Sequence, residues 1–316
     1  MSDDLQTLIE EFFAREFRTD NPVITEAVRR MLAAGGKRLR PRLLLLSAEA
    51  AGSEAGDHLA LAAYMELIHV ATLIHDDVVD RADTRRGVNA TAVDFGNRIS
   101  VLAGDYLFAW IFRAVTADYP HPIPHVLSAT LASICDGEVL QLRALGNLRL
   151  SFDQYVAIIE RKTASLFAAS AECGALVGHA SPELISALRA FGQAYGIAFQ
   201  MRDDLLDVTA SSQELGKPAG NDLRERKITM PIIAALESGD ANLRDRLQRF
   251  YRSDGTVDER DLGDILAAMS RAGAPQRTRE AIAQYVESAK RSLAPLESSP
   301  ARGRLAELAD DLMQPL

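Results

Sequence analysis

The chain has little of what several classes of protein depend on. Its two cysteines in 316 residues, Cys135 and Cys173, lie far apart without CxxC spacing, a pattern of neither a disulfide framework nor a zinc site. Both fall in predicted helices, and we expect them to be reduced core residues of a cytoplasmic protein. No stretch approaches 18 uninterrupted apolar residues, and the acidic start MSDDLQTLIEEFF is unlike a signal peptide. We therefore predict no membrane-spanning segment.

Positive charge is also scarce. Acidic residues outnumber Lys and Arg by 44 to 35, which gives a formal net charge of −9 and a pI near 5.3. A chain with this balance is not expected to bind nucleic acid through bulk electrostatics. Hydrophobic residues make up 47% of the sequence, which is enough to bury a sizeable core.

The alternating pattern of a half-buried strand is missing too, whereas apolar residues recur at helical spacing in nearly every long segment. The predicted helices cover residues 3–17, 23–34, 42–51, 57–80, 91–118, 123–145, 152–178, 182–210, 228–239, 241–252, 258–272 and 276–315. The polar stretch 211–227 is too long for a casual connection, so we expect it to be functional. With no fixed repeat and no low-complexity linker, the sequence predicts one all-α domain, 1–316, built as a large helical bundle.

The apolar helix 57–80 ends in three aspartates, Asp76, Asp77 and Asp80. Asp76 and Asp80 are four residues apart and share a helix face, while Asp77 lies about 100° round from Asp76. The last turn of a helix is unfavourable for negative charge, because the macrodipole is negative there. Such a cluster needs a cation, and all-oxygen ligands favour a hard one, which predicts Mg²⁺. A solvated acidic turn is the alternative for this motif taken alone.

A second D-D-x-x-D run, Asp203, Asp204 and Asp207, lies inside another apolar helical pattern. If the two motifs face each other across a bundle, six carboxylates in a confined site would repel unless cations were bound. A di-iron centre is the competing interpretation, but it requires Glu-x-x-His on two helices, and Glu66-x-x-His69 occurs once. The aspartate runs therefore favour Mg²⁺ over iron.

Basic side chains cluster near the same segments, and they suit phosphate oxygens. The candidates are Lys37, Arg40, Arg85, Arg86, Lys162, Lys217 and Lys227. We interpret Arg38 and Arg161 as parts of solvated faces. Carboxylates for a metal beside cationic side chains predict two phosphorylated ligands, one diphosphate on metal ions and the other on side chains alone. Because a metal turns diphosphate into a good leaving group, the metal-free diphosphate would stay attached.

At these points the sequence resembles a trans-type prenyl diphosphate synthase of the polyprenyl synthetase family, most closely its long-chain, octaprenyl-type members. It has GGKRLRP, HDDVVD followed by RRG, GDYLF, GEVLQL, KTASLF, FQMRDDLLD and GKPAGNDLRERKITMP in the family's order, from residue 35 to 231. Relatives often have a glycine after DLxE, where this chain has Arg226. The resemblance implies the isoprenoid synthase fold, a helical bundle around a central cavity. It also implies Mg²⁺-dependent head-to-tail condensation of isopentenyl diphosphate with an allylic diphosphate.

The resemblance implies roles for individual residues as well. Three Mg²⁺ ions on the allylic diphosphate would be held by Asp76, Asp77, Asp80, Asp203, Asp204 and Asp207. Isopentenyl diphosphate would contact Lys37, Arg40, His69 and Arg86, and the allylic diphosphate would contact Arg85, Lys162, Lys217 and Lys227. The residues implied in catalysis are Asp76, Asp80, Asp203, Lys162, Thr163 and Gln200. Thr163 and Gln200 would turn oxygen atoms toward the allylic carbocation. His69 is otherwise interpreted as a core histidine.

The length of the product depends on the helix that precedes Asp76. In short-chain relatives a bulky aromatic residue four or five positions before the motif closes the cavity, whereas this chain has small residues there. The residues along this face, from shallow to deep, are Thr72, Ala71, Ile68, Leu67 and Tyr64. From Asp76 to Tyr64 the helix runs about 18 Å, which suits a product beyond C20. We therefore expect a long-chain all-trans product of about C30–C50, octaprenyl favoured, for a quinone side chain.

Several alternatives stay open. Phe108, Trp110 or Phe112 on a neighbouring helix can close the cavity, which would give a C15–C20 farnesyl or geranylgeranyl diphosphate synthase. A non-catalytic subunit of a heteromeric synthase tends to lose aspartates from one motif, and a terpene cyclase lacks GGKRLRP. A homodimer is the family's usual state. A long product cannot stay in water, so we expect its release at a membrane surface.

Overall fold

The computed structural model of the chain describes residues 2–85, 87–209, 220–252 and 258–314, without the side chains of residues 2–4 and 55. Helices dominate these ranges, and the all-α prediction is confirmed. The helices are α1 (Ser2–Glu16), α2 (Pro22–Ala33), α3 (Leu39–Ala50), α4 (Leu59–Val79), α5 (Thr91–Phe95), α6 (Asn97–Asp118), α7 (Ile123–Ala144), α8 (Phe152–Ile159), α9 (Ser165–Val177), α10 (Pro182–Thr209), α11 (Asn221–Arg224), α12 (Met230–Leu236), α13 (Ala241–Arg252), α14 (Glu259–Arg271), α15 (Ala274–Ser292) and α16 (Pro300–Asp310). Two 3₁₀ turns, Ala55–His58 and Asp311–Met313, and a π-helical turn, Glu160–Ala164, complete the helical structure described.

Local sequence explains where several helices begin. α2 starts after Asn21, whose side chain accepts a hydrogen bond from the Val23 N–H at 3.1 Å, and Pro22 occupies the first turn. α8 starts with a capping box, in which Ser151 and Gln154 each accept a backbone N–H from the other.

Strand is confined, within the described residues, to a short hairpin after α4. β1 (Thr84–Arg85) pairs antiparallel with β2 (Val88–Asn89), with Arg85 opposite Val88. Gly87 in the turn has φ 79°, a left-handed conformation that glycine adopts without strain. The sequence pattern did not predict this hairpin, because two-residue strands are too short to alternate.

The chain divides into two compact units. The first unit comprises Met1–Ala129, Ala169–Arg189 and Pro295–Leu305, and the second comprises Thr130–Ala168, Ala190–Ala294 and Ala306–Leu316. In the first unit α4 packs mainly against α6 and α3, and Leu61, Leu67 and Ile68 are buried in its core. In the second unit α12 packs mainly against α15, with α13 and α14 beside them. The prediction of one domain over 1–316 stays a prediction.

Several predicted helices differ from those observed. The predicted helix 91–118 breaks at Gly96, which has φ 79° and ψ 155° and separates α5 from α6. The predicted helix 276–315 ends at Ser292, and α16 begins only at Pro300, since Pro295 cannot donate a helical hydrogen bond. Part of the expected loop 211–227 forms α11, while residues 211–219 lie outside the described ranges.

Cys135 was predicted in the core, but it is exposed on α7; Cys173 is buried, and both are free thiols. By length and composition alone, the helices Gly56–Val79 and Asn97–Asp118 would suffice to cross a bilayer. The first of these is mostly buried within the protein, and core helices of that kind meet the same criterion.

Candidate functional site

The first aspartate motif lies at the end of α4 and presents its carboxylates in two directions. Asp80 follows the helix, and its N–H donates to the Asp76 carbonyl at 2.7 Å. Asp76 and Asp80 are half-buried, whereas Asp77 is completely buried. The helical spacing predicted this separation of Asp77 from the other two.

Asp77 forms an ion pair with Arg85 of the hairpin. Arg85 donates to Asp77 Oδ1 from Nε at 2.7 Å and from Nη2 at 2.5 Å. Burial raises the pKa of the Asp77 carboxyl above its usual range, and the Arg85 guanidinium opposes that rise. Asp77 Oδ2 is buried and has no hydrogen-bond partner among the described residues. Arg85, which the resemblance gives to the allylic diphosphate, is thus held by a carboxylate of the first motif.

His75 precedes the first motif and packs against α6, a contact that the sequence did not reveal. Its Nε2 lies 3.0 Å from the Val101 carbonyl, and its ring meets the Phe108 ring edge-on, with 5.7 Å between centroids. A Cβ on Gly104 would lie 2.3 Å from His75 Nε2, so the imidazole fills the space that this glycine leaves. The sequence signal for the contact between His75 and α6 is Gly104, the glycine of the GDYLF motif.

The side chains of the GGKRLRP segment, which leads into α3, differ in their exposure to solvent. Lys37 is exposed and Arg40 is half-buried in the first turn of α3. Arg38 was interpreted as part of a solvated face, and this is wrong: its side chain is buried in an ion pair with Glu66 of α4, at 2.5 Å. Glu66 lies one helical turn before the half-buried His69. Arg161, the other residue so interpreted, is exposed.

The second aspartate motif lies near the end of α10, and its three carboxylates have different surroundings. Asp203 is exposed, whereas Asp204 and Asp207 are buried. Asp207 Oδ2 accepts the Asp222 N–H at 2.9 Å, and the Asp207 carbonyl accepts the Gly220 N–H at 2.8 Å. Asp207 therefore anchors the start of α11, a structural role that the motif alone does not indicate.

Asp204 lies at the centre of a hydrogen-bonded chain. Tyr155 of α8 donates to Asp204 Oδ2 at 2.5 Å, and Gln200 Nε2 donates to Asp204 Oδ1 at 2.9 Å. Thr163 donates its hydroxyl to Gln200 Oε1 at 2.9 Å. Burial raises the pKa of Asp204 to about 6, although the hydrogen bonds from Tyr155 and Gln200 act to lower it. The structure thus brings together the predicted residues Thr163, Gln200 and Asp204, and it adds Tyr155.

Lys162 and Thr163 lie in the π-helical turn Glu160–Ala164, which contains one more residue than an α-helical turn. Lys162 Nζ donates to Gln141 Oε1 at 2.6 Å and pairs with Glu138, both on α7. The helices approach closely, because a Cβ on Gly137 would lie only 2.5 Å from the Lys162 backbone nitrogen. Gly137, Glu138 and Gln141 all belong to the GEVLQL segment, so this motif is the sequence signal for the contact with Lys162.

A cavity of about 110 Å³ lies among these side chains in the second unit. Its polar lining comprises Gln141, Tyr155, Lys162, Thr163, Gln200, Asp204, Asp222, Lys227 and Thr229. The Lys227 side chain pairs with Glu225, and the Lys227 backbone carbonyl accepts a hydrogen bond from the Tyr251 hydroxyl at 2.9 Å. Two lysines, two carboxylates and oriented amide and hydroxyl groups therefore share one cavity.

Two predicted phosphate-binding residues, Arg86 and Lys217, lie outside the described residues. In the part of the chain that is described, no three acidic, histidine or cysteine side chains form one metal-ligand group. The chemistry of the donors nevertheless suits a hard cation, because both motifs supply carboxylate oxygens.

The residues predicted to measure product length line the buried flank of α4. Ala71, Ile68, Leu67 and Tyr64 are buried, and the half-buried Thr72 donates its hydroxyl to the His69 carbonyl at 2.8 Å. At the deep end, the Tyr64 ring meets Trp110 and Phe12 edge-on, with centroids 5.7 and 5.5 Å apart. Trp110, one of the aromatic residues expected to be able to close the cavity, thus contacts this flank at its deep end. Phe108, another of them, contacts His75.

A model of one protein family, described as polyprenyl synthetase, matches residues 21–269. A short chain isoprenyl diphosphate synthase from Methanothermobacter thermautotrophicus is 37% identical, over 92% of this chain and 90% of the relative. The crystal structure of a decaprenyl diphosphate synthase from Rhodobacter capsulatus has a TM-score of 0.89 and 40% identity, covering 98% of this chain and 94% of that one. A polyprenyl synthase from Caulobacter crescentus, complexed with calcium and isoprenyl diphosphate, has a TM-score of 0.91 and 36% identity, covering 98% and 93%.

Proposed function

Since this chain belongs to the polyprenyl synthetase family, we propose that it condenses isopentenyl diphosphate with an allylic diphosphate and elongates the product to a long all-trans polyprenyl diphosphate. The relatives are named as isoprenyl and polyprenyl diphosphate synthases, which are prenyltransferases, and the predicted enzyme class is confirmed at that level. The observation that best supports the reaction is the hydrogen-bonded chain from Tyr155 through Asp204 and Gln200 to Thr163, beside Lys162 in one cavity.

The donor set fits Mg²⁺. Asp76 and Asp80 stand one turn apart at the end of α4, and the neighbouring Asp77 has a buried oxygen without a hydrogen-bond partner in the described residues. Asp76 and Asp80 of the first motif would hold Mg²⁺ for the allylic diphosphate, and the exposed Asp203 is the candidate Mg²⁺ ligand of the second motif. When bound, Mg²⁺ neutralises the diphosphate and makes it a better leaving group. The calcium in the Caulobacter crescentus relative is another hard cation.

The remaining chemistry depends on fixed dipoles. The allylic C–O bond breaks with its electron pair on the diphosphate oxygen, and positive charge develops on the allyl group. Gln200 donates one amide hydrogen to Asp204, and its carbonyl oxygen is directed toward Thr163. The oxygens of Thr163 and Gln200 then stabilise the cation, and Lys162 and Lys227 bind the departing diphosphate. The isopentenyl double bond attacks the allylic carbon and forms the new C–C bond, which leaves the positive charge on the isopentenyl part. A neighbouring carbon then loses a proton to the departed diphosphate, and the electrons of that C–H bond form the new double bond.

The second substrate would bind to Lys37, Arg40 and His69 of the first unit. Its diphosphate contacts side chains and no metal in this proposal, so it is not activated to leave. Elongation continues because each product is itself an allylic diphosphate.

The long-chain assignment is supported by the small side chains of Ala71 and Thr72 and by the similarity to a decaprenyl synthase. A C15–C20 synthase is the second candidate, and the edge-on contact of Trp110 with Tyr64, which can close the deep end of this flank, is the observation that favours it. The 37% identity to a short chain synthase supports the same alternative.

Mass spectrometry of the product separates these candidates. The purified chain would be incubated with farnesyl diphosphate, excess isopentenyl diphosphate and Mg²⁺. We expect products of about C30–C50, with octaprenyl diphosphate most abundant, and no turnover when EDTA removes the metal. C20 as the sole product would replace the long-chain assignment with the short-chain one. Failure to consume isopentenyl diphosphate would reject the synthase function in favour of a terpene cyclase or a non-catalytic subunit.

We also propose a homodimer in the cytoplasm. Three apolar side chains near the end of α7, and a fourth just after it, are between 38% and 54% exposed and offer an apolar surface to a second copy: Val139, Leu140, Leu142 and Leu145. Light scattering should give twice the chain mass of 34.4 kDa, and a monomer at micromolar concentration would contradict this assembly.

The two free cysteines are compatible with a reducing compartment. Product release at a membrane surface would appear as faster turnover in the presence of vesicles.

A further inference from the structure

Arg38 joins three segments of the first unit through a buried guanidinium group. Its side chain is 0% exposed and that of Glu66 is 3% exposed, with 2.5 Å between Arg38 Nη1 and Glu66 Oε1. Arg38 Nη2 donates to the Leu32 carbonyl at 2.7 Å. One planar fork therefore connects the end of α2, the segment before α3 and the middle of α4.

The backbone at Arg38 is as constrained as its side chain. Arg38 has φ 47° and ψ 40°, in the left-handed region that residues with a Cβ rarely adopt, and it precedes α3 without a side-chain cap. The chain turns at this residue, with exposed Lys37 before it and Arg40 in the next turn. A conformation of this kind persists only when surrounding contacts enforce it, and the two bonds of the guanidinium supply such contacts.

Glu66 places the same ion pair one helical turn from His69. It lies three positions before His69 on α4, and residues three apart share a helix face. The bond from Arg38 to Glu66 consequently sets the position of Lys37 and Arg40 relative to His69. These three residues are the ones assigned above to the diphosphate that binds without metal.

We propose that Arg38 and Glu66 are positioning residues for the isopentenyl diphosphate subsite, which rests on the proposed function. Neither side chain reaches solvent, so they act through Lys37, Arg40 and His69 and do not touch the substrate. Removing the fork leaves these three side chains in place but loosens their relative geometry. The affinity for isopentenyl diphosphate falls, while the binding of the allylic diphosphate at the aspartate motifs is preserved.

Steady-state kinetics of paired variants tests the proposal. Arg38→Met strands Glu66 as a buried charge, whereas Arg38→Met with Glu66→Met removes both charges and keeps a similar volume, a replacement that often preserves stability. Arg38→Lys keeps the charge without the fork. For each variant the KM for isopentenyl diphosphate, the KM for farnesyl diphosphate and the melting temperature are measured. The control is Arg304→Met with Glu49→Met, which removes an ion pair near the other end of α3.

In the double variant at positions 38 and 66 we expect the KM for isopentenyl diphosphate to rise at least tenfold, with less than twofold change in the KM for farnesyl diphosphate. Arg38→Lys should give a smaller rise, and the control none. A KM for isopentenyl diphosphate within twofold of wild type in a folded double variant would overturn the proposal, as would equal rises in both KM values. If the double variant does not fold, Arg38→Lys decides by the same comparison. Wild-type protein that fails to consume isopentenyl diphosphate rejects the proposed function instead, before any variant is compared.

Discussion

Tyr155 and Asp204, 49 residues apart in the chain, share a hydrogen bond of 2.5 Å in the buried part of the second unit. Gln200 occupies the other oxygen of the same carboxylate. Asp204 of the second motif therefore accepts hydrogen bonds from protein donors through both of its oxygens. In the proposed reaction, Asp204 orients Gln200 and, through Gln200, Thr163.

Tyr155→Phe should slow catalysis without weakening substrate binding. The variant leaves Asp204 Oδ2 buried without its donor, which costs about 1–3 kcal/mol of folding free energy. We expect kcat to fall roughly tenfold, equivalent to about 1.4 kcal/mol, because Gln200 and Thr163 lose their anchor, with both KM values nearly unchanged. Tyr285→Phe, at a half-buried tyrosine of α15, is the matched control. A kcat within twofold of wild type would show that the orientation of Gln200 does not depend on Tyr155.

Stability of the metal-free protein should depend on pH through Asp204. Its pKa is raised from an ordinary value of 3.8 to about 6, so the folded state binds this proton more tightly than the unfolded chain. The resulting stabilisation is complete below the unfolded pKa and is lost as the pH rises through the folded pKa. Asp204→Asn should therefore raise the unfolding free energy at pH 7 by about 1–3 kcal/mol and change it little at pH 4. Urea titration at both pH values measures this, and an equal effect at both would contradict the prediction.

Gly137→Ala should disturb Lys162. The added Cβ would lie 2.5 Å from the Lys162 nitrogen and 2.9 Å from its Cα, so the π-helical turn must move away from α7. We expect a loss of about 1–3 kcal/mol in stability, as for other overpacked sites, and a higher KM for the allylic diphosphate. Gly263→Ala on α14 meets no atom within 4 Å and should stabilise the protein by roughly 0.5–1 kcal/mol. Equal changes in stability and in the KM for the allylic diphosphate in the two variants would mean that the close approach at Gly137 does not affect substrate binding.

Ala71→Phe should shorten the product. Ala71 is completely buried on the flank of α4, and an aromatic ring there would block the path toward Tyr64. We expect C15–C20 products in place of longer ones, measured by mass spectrometry, with a stability cost of about 1–3 kcal/mol. Ala109→Phe, at an exposed position of α6, receives the same side chain away from that flank. If folded Ala71→Phe gives an unchanged product distribution, this face of α4 does not determine the product length.

Local periodicity was sufficient for much of the fold. It predicted the helices and placed Asp77 on a different face from Asp76 and Asp80, because both depend on residues a few positions apart. The family motifs correctly placed Thr163 and Gln200 together, across 37 residues of chain.

Two of the errors at the site involve partners that are far apart in the sequence. Arg38 was interpreted as solvated because its partner Glu66 is 28 residues away and no local pattern connects them. Tyr155 was missed for the same reason, since a tyrosine on an apolar helix face has the sequence signature of ordinary core. Cys135 was predicted in the core because it falls in a predicted helix without CxxC spacing, yet it is exposed on α7.

The π-helical turn at Glu160–Ala164 has a consequence for insertions and deletions. One surplus residue is accommodated inside that turn, and α8 and α9 keep their own packing faces on either side of it. A single-residue gap in this stretch between two related chains would therefore leave the fold unchanged. It would alter only which side chain takes the place of Lys162 beside α7.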